Sequence, residues 1–175
     1  MRDWLGQAGA DAGAVRRVLA GDAEAYAELV ERHRHWAVNL AYHLIGDAEE
    51  AEDVAQEAFV IAYSKLHQLR SSGAFGPWLR RILVNLASRR RRRLSRRSAA
   101  EIDPTGVGEA TNSTAVAVHA VLRLMPDHLA VVLVLRELHS LSYREIAETL
   151  SIPVGTVRSR LHAAREMFRR LWDAE

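Results

Sequence analysis

The chain has 175 residues, of which 49% are hydrophobic and 26% are charged, a balance typical of a globular protein and not of a disordered one. It contains no cysteine, which excludes disulfides and thiolate metal sites, and its eight histidines follow no metal-ligand spacing, so we expect no metal and no cofactor. No apolar run approaches the roughly 18 residues that cross a bilayer, and no signal peptide is evident, so we expect a cytoplasmic protein without membrane insertion.

The net charge of +2 conceals a segregation of charge along the chain. Residues 1–70 carry a net charge of −5, residues 71–100 carry nine basic and no acidic side chains, and residues 101–175 carry a net charge of −2. This pattern predicts a polyanionic partner for the middle of the chain and a basic partner for its front. All basic residues except Lys65 are Arg, which suits phosphate and guanine, although a GC-rich genome explains that bias equally well.

The first half of the chain has helical periodicity and almost no strand signal, so we predict an all-α fold. A short helix is expected around Ala14–Leu19. Apolar residues then recur at steps of three and four between Asp22, a predicted N-cap, and Gly46, a predicted terminator. Asp47 is expected to cap the next helix, which ends near Leu69. The loop "RSSGAFGP" follows, and its Pro suits the first turn of a third helix that continues into the Arg run "SRRRRRLSRRS".

Residues 95–114 contain Gly, Pro, Ser and Thr with few large apolar side chains, which predicts a linker. Apolar periodicity returns at Val116 and holds to Trp172. We therefore predict an N-terminal tail at residues 1–13, a helical domain at 14–94, a flexible linker at 95–114 and a second helical domain at 115–175.

The second domain contains the pattern of a helix-turn-helix. Ser142 and Glu145 are spaced as a capping box, and Pro153 permits a new helix to start but not the old one to continue. The inward positions of the second helix leave an outer, DNA-facing set that consists of Thr156, Arg158, Ser159, His162 and Arg165. A plain three-helix bundle with solvated Arg side chains is the alternative, because helix-turn-helix patterns are loose.

One face of the helix after Asp47 is acidic. The side chains at helical spacing there are Glu49, Asp53, Gln56 and Glu57. Like charges three or four residues apart repel weakly, so such a stripe suits a basic partner surface. From charge alone, a solvated face is the alternative.

Three segments resemble the signature motifs of extracytoplasmic-function (ECF) sigma factors, the minimal two-domain class of bacterial sigma factors. They are "AEDVAQEAFVIAYSKL", "FGPWLRRILVNLA" and "LSYREIAETLSIPVGTVRSRLHAAR", in the family's order and with a linker between the last two. The resemblance covers residues 15–172. It implies a non-enzymatic subunit that binds core RNA polymerase, directs it to promoters and assists DNA opening. It also implies an anti-sigma factor as a partner.

The resemblance assigns roles to matching positions. Asp53, Gln56 and Glu57, with the neighbouring Glu49, are implied to dock on the β′ clamp helices, and the β flap is a further polymerase contact. The segment His67–Phe75 is implied to capture a flipped minus-ten base. Implied minus-ten DNA contacts on the next helix are Arg80, Arg81, Asn85, Ser88, Arg89 and Arg92. The helix-turn-helix is implied to read the minus-thirty-five element.

Two other functions compete with this one. A stand-alone helix-turn-helix regulator would carry a dimerisation or sensing domain at its N-terminus, and an adaptor would bind proteins through both helical halves. A stand-alone regulator has no need of the Asp53, Gln56 and Glu57 face or of an Arg-rich helix before the linker. We find no heptad seam for dimerisation.

Overall fold

The computed structural model describes residues 8–100 and 113–174. Every regular element in these two ranges is a helix, so the prediction of an all-α fold is confirmed. The α-helices are α1 (Ala8–Leu19), α2 (Ala25–Ile45), α3 (Ala48–Ser64), α4 (Phe75–Ala100), α5 (Ser113–Leu124), α6 (Asp127–Leu133), α7 (Tyr143–Leu150) and α8 (Val154–Trp172). Two single 3₁₀ turns, Leu66–Gln68 and Ser72–Ala74, lie between α3 and α4, and a π-helical segment, Val134–Leu138, extends α6.

The described residues form two compact units. The first consists of the residues up to Tyr42 together with Asp47–Leu86, and the second consists of His43–Gly46 together with the residues from Ala87 onward. Helix α4 therefore begins in the first unit and ends in the second. No helix in the described ranges is both long and apolar enough to cross a membrane.

Local sequence signals place the ends of the helices in the first unit. The Asp22 carboxylate accepts a hydrogen bond from the Ala25 amide (3.2 Å), and Asp47 accepts one from the Glu50 amide (2.9 Å), as expected of N-cap residues. Gly46 ends α2 with a φ of +79°, which a residue with a Cβ rarely adopts. Pro77 lies in the first turn of α4, where its missing N–H costs nothing.

The core of the first unit comes from the apolar stripes of α2, α3 and the beginning of α4. Its largest fully buried side chains include Leu29, Leu40, Val54, Phe75, Leu79 and Leu83. Helix α1 begins at Ala8 and not near Ala14, so part of the expected N-terminal tail is helical. It packs against the Ser72–Ala74 turn that precedes α4.

The second unit packs α6, α7 and α8 around an apolar core, with α5 against α8. Its fully buried side chains include Val121, Leu135, Ile146 and Leu161. The capping box is formed: the Ser142 hydroxyl accepts from the Glu145 amide, and the Glu145 carboxylate accepts from the Ser142 amide (2.7 Å). Ser151 ends α7 in the left-handed region (φ +55°), and Pro153 precedes α8.

The first six residues of the segment predicted as a linker, 95–100, are helical. Helix α4 continues through Ala100, because the stretch after the Arg run contains no Gly or Pro and is rich in Arg and Ala, which favour helix. At the other end, Ser113 opens α5. The rest of the expected linker, residues 101–112, and the first seven residues of the expected tail lie outside the described residues.

Candidate functional site

An acidic face lies on the exposed side of α3. Glu49, Asp53, Gln56 and Glu57 are all exposed there, as the periodicity predicted. The opposite side of the helix is held in the core by Ala51, Val54, Ala55, Ala58, Phe59 and Ala62. Because these small and apolar residues fix the rotation of α3, the four polar side chains share one side of the helix.

The acidic face continues into two exposed apolar side chains that the sequence analysis did not single out. Val60 is 63% exposed and Tyr63 is 48% exposed, and both follow Gln56 at helical spacing. The Tyr63 ring packs edge-on against Tyr26, with ring centroids 4.9 Å apart. The signal was present in the sequence: apolar residues that fall outside the buried stripe of an amphipathic helix indicate a surface for a partner. We call Asp53, Gln56, Glu57, Val60 and Tyr63 the α3 face.

Tyr26 lies on α2 and connects that helix to the α3 face. Its hydroxyl donates to the carbonyl of Phe59 (2.6 Å), and burial raises the pKa of Tyr26 above its ordinary value. The phenol therefore stays neutral and tethers α2 to α3 one residue before Val60.

The segment predicted to capture a base, His67–Phe75, is anchored at both ends and exposed between them. Leu66 and Phe75 are buried, whereas His67, Gln68, Arg70 and Ser71 are exposed. The Phe75 ring meets those of Tyr26, His33 and Trp78, with centroids 5.4–6.4 Å apart. The Ala74 amide donates to the Ser71 carbonyl (2.9 Å), which closes the last turn before α4. The segment thus presents exposed polar side chains between two buried residues.

Most of the predicted minus-ten contacts form one stripe along α4. Arg81, Asn85, Arg89 and Arg92 are exposed at steps of four, four and three, and Ser88 beside them is half-buried. A stripe of this spacing can follow a phosphate backbone along the helix axis.

Arg80 does not fit the prediction that it contacts DNA, because only 3% of the residue is exposed. It lies on the side of α4 that faces the core, one residue after the fully buried Leu79. We therefore leave Arg80 out of the DNA-binding stripe.

The Arg run is divided between solvent and the second unit. Arg91 is buried and donates to the carbonyls of Leu122 (2.6 Å) and Met125 (2.9 Å), and burial lowers the pKa of its guanidinium. Arg92 donates to the Asp127 carboxylate (2.8 Å) while half of its side chain stays exposed. The sequence could not single out Arg91, because five consecutive Arg residues offer no contrast of residue type.

The outer side of α8 carries the predicted minus-thirty-five set. Arg158, Ser159, His162 and Arg165 are exposed and Thr156 is half-buried, while Val157, Leu161 and Ala164 are buried beneath them. The Ser159 hydroxyl donates to the Thr156 carbonyl (3.1 Å). The short helix α7 and the longer α8 are joined by the Ser151 turn, and α8 presents a polar, basic outer side, as expected of a helix-turn-helix.

Arg165 is engaged within the protein. Its guanidinium donates to one carboxylate oxygen of Glu137 through Nε (3.0 Å) and Nη2 (2.7 Å), and this hydrogen bonding raises its pKa. If Arg165 contacts a DNA phosphate, that phosphate must either displace the Glu137 carboxylate or bind the same guanidinium beside it. Arg158 lies closer to the start of α8.

An open apolar groove of about 540 Å³ lies on the second unit. Leu133, Leu138, Phe168 and Trp172 contribute much of its surface, and the Phe168 and Trp172 rings stack with centroids 5.7 Å apart. Among the described residues no group of three or more His, Cys, Asp or Glu side chains is arranged to hold a metal ion.

Comparison with known protein families assigns the two parts of the chain to two regions of one family. Sigma-70 region 2 matches residues 29–97, and Sigma-70 region 4 matches residues 115–168. The RNA polymerase sigma-H factor of Pseudomonas aeruginosa is 37% identical over 170 residues, which are 87% of this chain and 88% of that protein. The chain belongs to the sigma-70 family. The ECF RNA polymerase sigma factor SigW of Bacillus subtilis is 32% identical over 174 residues, 89% of this chain and 93% of SigW, so the predicted ECF class is confirmed.

Solved structures agree with this assignment. CnrH, in complex with the cytosolic domain of CnrY, matches with a TM-score of 0.75 and 25% identity over 95% of this chain and 99% of CnrH. The sigma factor RpoE of Bartonella quintana, in complex with the anti-sigma factor NepR, shares the fold with a TM-score of 0.66 at 20% identity. The protein is thus an alternative sigma factor that directs RNA polymerase to promoters, and the stand-alone regulator is not favoured.

Proposed function

We propose that this sigma factor holds core polymerase through the α3 face, with Glu49 at its edge and the β′ clamp helices as its target. The observation that carries the proposal is the continuity of acidic and apolar groups along one exposed side of α3. Acidic residues attract a basic helix surface, and Val60 and Tyr63 supply apolar area that gains free energy when it is covered. Such a face has no use in a protein that only binds DNA.

We propose that each of the remaining surfaces binds a different part of the promoter. The turn at His67–Phe75 captures a minus-ten base, the stripe Arg81, Asn85, Ser88, Arg89 and Arg92 holds the adjacent backbone, and α8 reads the minus-thirty-five element. Each surface is small, so each binds weakly alone. The polymerase holds them on one body, and effective concentration then multiplies their affinities.

We propose that the apolar groove of the second unit receives the β flap of the polymerase, and that an anti-sigma factor regulates the protein. The groove offers aromatic and aliphatic side chains at a concave surface, which suits the apolar side of a partner helix. The likeness to CnrH, solved with the cytosolic domain of CnrY, supports the second part. The protein acts in the cytoplasm, where polymerase and DNA are, as an initiation factor and not as a catalyst in its own right.

Charge reversal on the α3 face tests the proposal. Asp53→Arg is expected to abolish binding to core polymerase and to an isolated β′ clamp-helix fragment, with an unchanged circular dichroism spectrum, because Asp53 is exposed. Glu24→Arg is the matched control, since it makes the same charge change at an exposed position of the same unit, ahead of α2. Equal binding by both variants and the parent protein would show that α3 is not the docking face.

A further inference from the structure

A buried ionic cluster joins α1 to α2 in the first unit. Asp11 is only 2% exposed, and both of its carboxylate oxygens are hydrogen-bonded: Nη1 of Arg32 donates to Oδ1, and Nε2 of His33 donates to Oδ2 at 2.9 Å. His33 is as deeply buried as Asp11. A buried carboxylate is costly unless it is fully paired, so this cluster requires a close fit of the two helices.

The cluster supplies directional contacts between α1 and α2, where few other residues of α1 are buried. Half of its twelve residues are Ala or Gly, and its only buried residues are Asp11, Ala14 and Val15. Small side chains bury little apolar area and tolerate sliding. The directional bonds to Asp11 therefore fix the register of α1 against α2.

The two helices that Asp11 joins contact the two ends of the segment Ser72–Gly76, which leads into the first turn of α4. On one side, α1 packs against Ser72–Ala74, and a Cβ at Gly73 would lie 3.5 Å from the carbonyl oxygen of Ala8. On the other side, the His33 ring packs on Phe75, with centroids 5.4 Å apart, and a Cβ at Gly76 would lie 3.3 Å from Cε1 of His33. Gly76 lies in the first turn of α4, and its missing Cβ lets the His33 ring approach closely.

We infer that Asp11 is a positioning residue for base selection at the minus-ten element: by pairing with Arg32 and His33 it holds the segment Ser72–Gly76, which comprises the last 3₁₀ turn and the start of α4, between α1 and the His33 ring. The inference rests on the proposed role of His67–Phe75 in base capture. A pocket that selects a flipped base needs fixed walls, and a displacement of about 1 Å in a positioning group costs on the order of a hundredfold in rate in comparable sites.

The test uses the full chain with core polymerase and a pair of promoters that differ only at the captured minus-ten base. The measured quantity is the ratio of open-complex formation rates on the two promoters, followed by the fluorescence of a base analogue in the minus-ten element. A fall in the amount of active protein cancels in this ratio, so a loss of stability alone leaves it unchanged. Binding to core polymerase is measured in parallel.

Asp11→Asn is the diagnostic variant, because it keeps the size of the side chain and removes its charge. We expect it to lower the discrimination ratio about tenfold, with core binding retained. Asp22→Asn is the matched control, because it is the same chemical change at another carboxylate that pairs with a residue of α1. Asp22 pairs with Arg17 at 3.2 Å but is exposed, such pairs contribute little, and Asn can still cap the Ala25 amide, so its ratio should equal that of the parent protein.

The exposed turn residues separate this inference from the proposed function. The double variant Arg70→Ala, Ser71→Ala removes polar groups from the segment His67–Phe75 without touching Asp11 and should also lower the ratio. If it does so while Asp11→Asn leaves the ratio unchanged, or if Asp22→Asn lowers it as much as Asp11→Asn, the positioning role is refuted and base capture stands. If no turn variant changes the ratio, base capture by this segment and the role of Asp11 both fail.

Discussion

Val60 offers a direct measure of how the α3 face is used. Full burial of a Val side chain stabilises by about 1.5–2 kcal/mol. Because 63% of Val60 is still exposed in the free protein, covering it on the polymerase should contribute about 1 kcal/mol. Val60→Ser removes that contribution, so the dissociation constant for core polymerase should rise about five- to tenfold. Helix α3 itself should be unaffected, since Ser and Val have similar helix propensities.

The assay is an equilibrium titration of fluorescently labelled protein with core polymerase at fixed salt. Leu19→Ser is the control, because Leu19 is another exposed aliphatic side chain in the same unit but lies at the end of α1. Thermal unfolding of both variants verifies that neither change damages the fold. If Val60→Ser binds core polymerase with the affinity of the parent protein, then α3 is not buried on the polymerase.

Three further predictions concern DNA binding and folding. Arg158→Ala should weaken binding to minus-thirty-five duplexes by about 1–3 kcal/mol and relax the preference at one base pair, and an unchanged preference in a competition assay would count against base contact. Arg89→Ala should lower the salt slope of promoter binding by about one and leave sequence preference intact, so a changed preference would point to base contact instead. Ser142→Ala should lower the free energy of unfolding of the second unit by about 1 kcal/mol, because it removes the hydroxyl of the capping box, and a wild-type urea midpoint would contradict that role.

Much of the fold followed from periodicity and caps. The apolar steps between Asp22 and Gly46 predicted α2, and Asp47 was correctly expected to cap α3, because these signals depend on neighbours within a few residues. The apolar run Ala130–Leu135 is helical despite its β-branched residues, since it lies within α6 and its π extension. The outer residues of α8 also emerged as predicted from the inward stripe.

Other features depend on contacts far apart in sequence and could not be predicted in this way. The burial of Asp11 requires Arg32 and His33, which lie on another helix, so a pattern within α1 gives no sign of it. Arg80 was expected on the DNA side of α4, but the rotation of that helix against the core buries it. Arg91 is distinguished from its Arg neighbours only by the carbonyl groups that it meets. Charge patterns predict that a polar surface exists, whereas tertiary packing decides which residues of the pattern are exposed on it.

Run-off transcription tests the central claim most directly. Core polymerase is incubated with the purified protein and a library of promoter fragments, and the 5′ ends of the transcripts are mapped. We predict discrete start sites that require the protein, share minus-ten and minus-thirty-five elements at a fixed spacing, and disappear with Asp53→Arg. Transcripts identical to those of core polymerase alone would contradict the assignment of this chain as a promoter-specificity subunit.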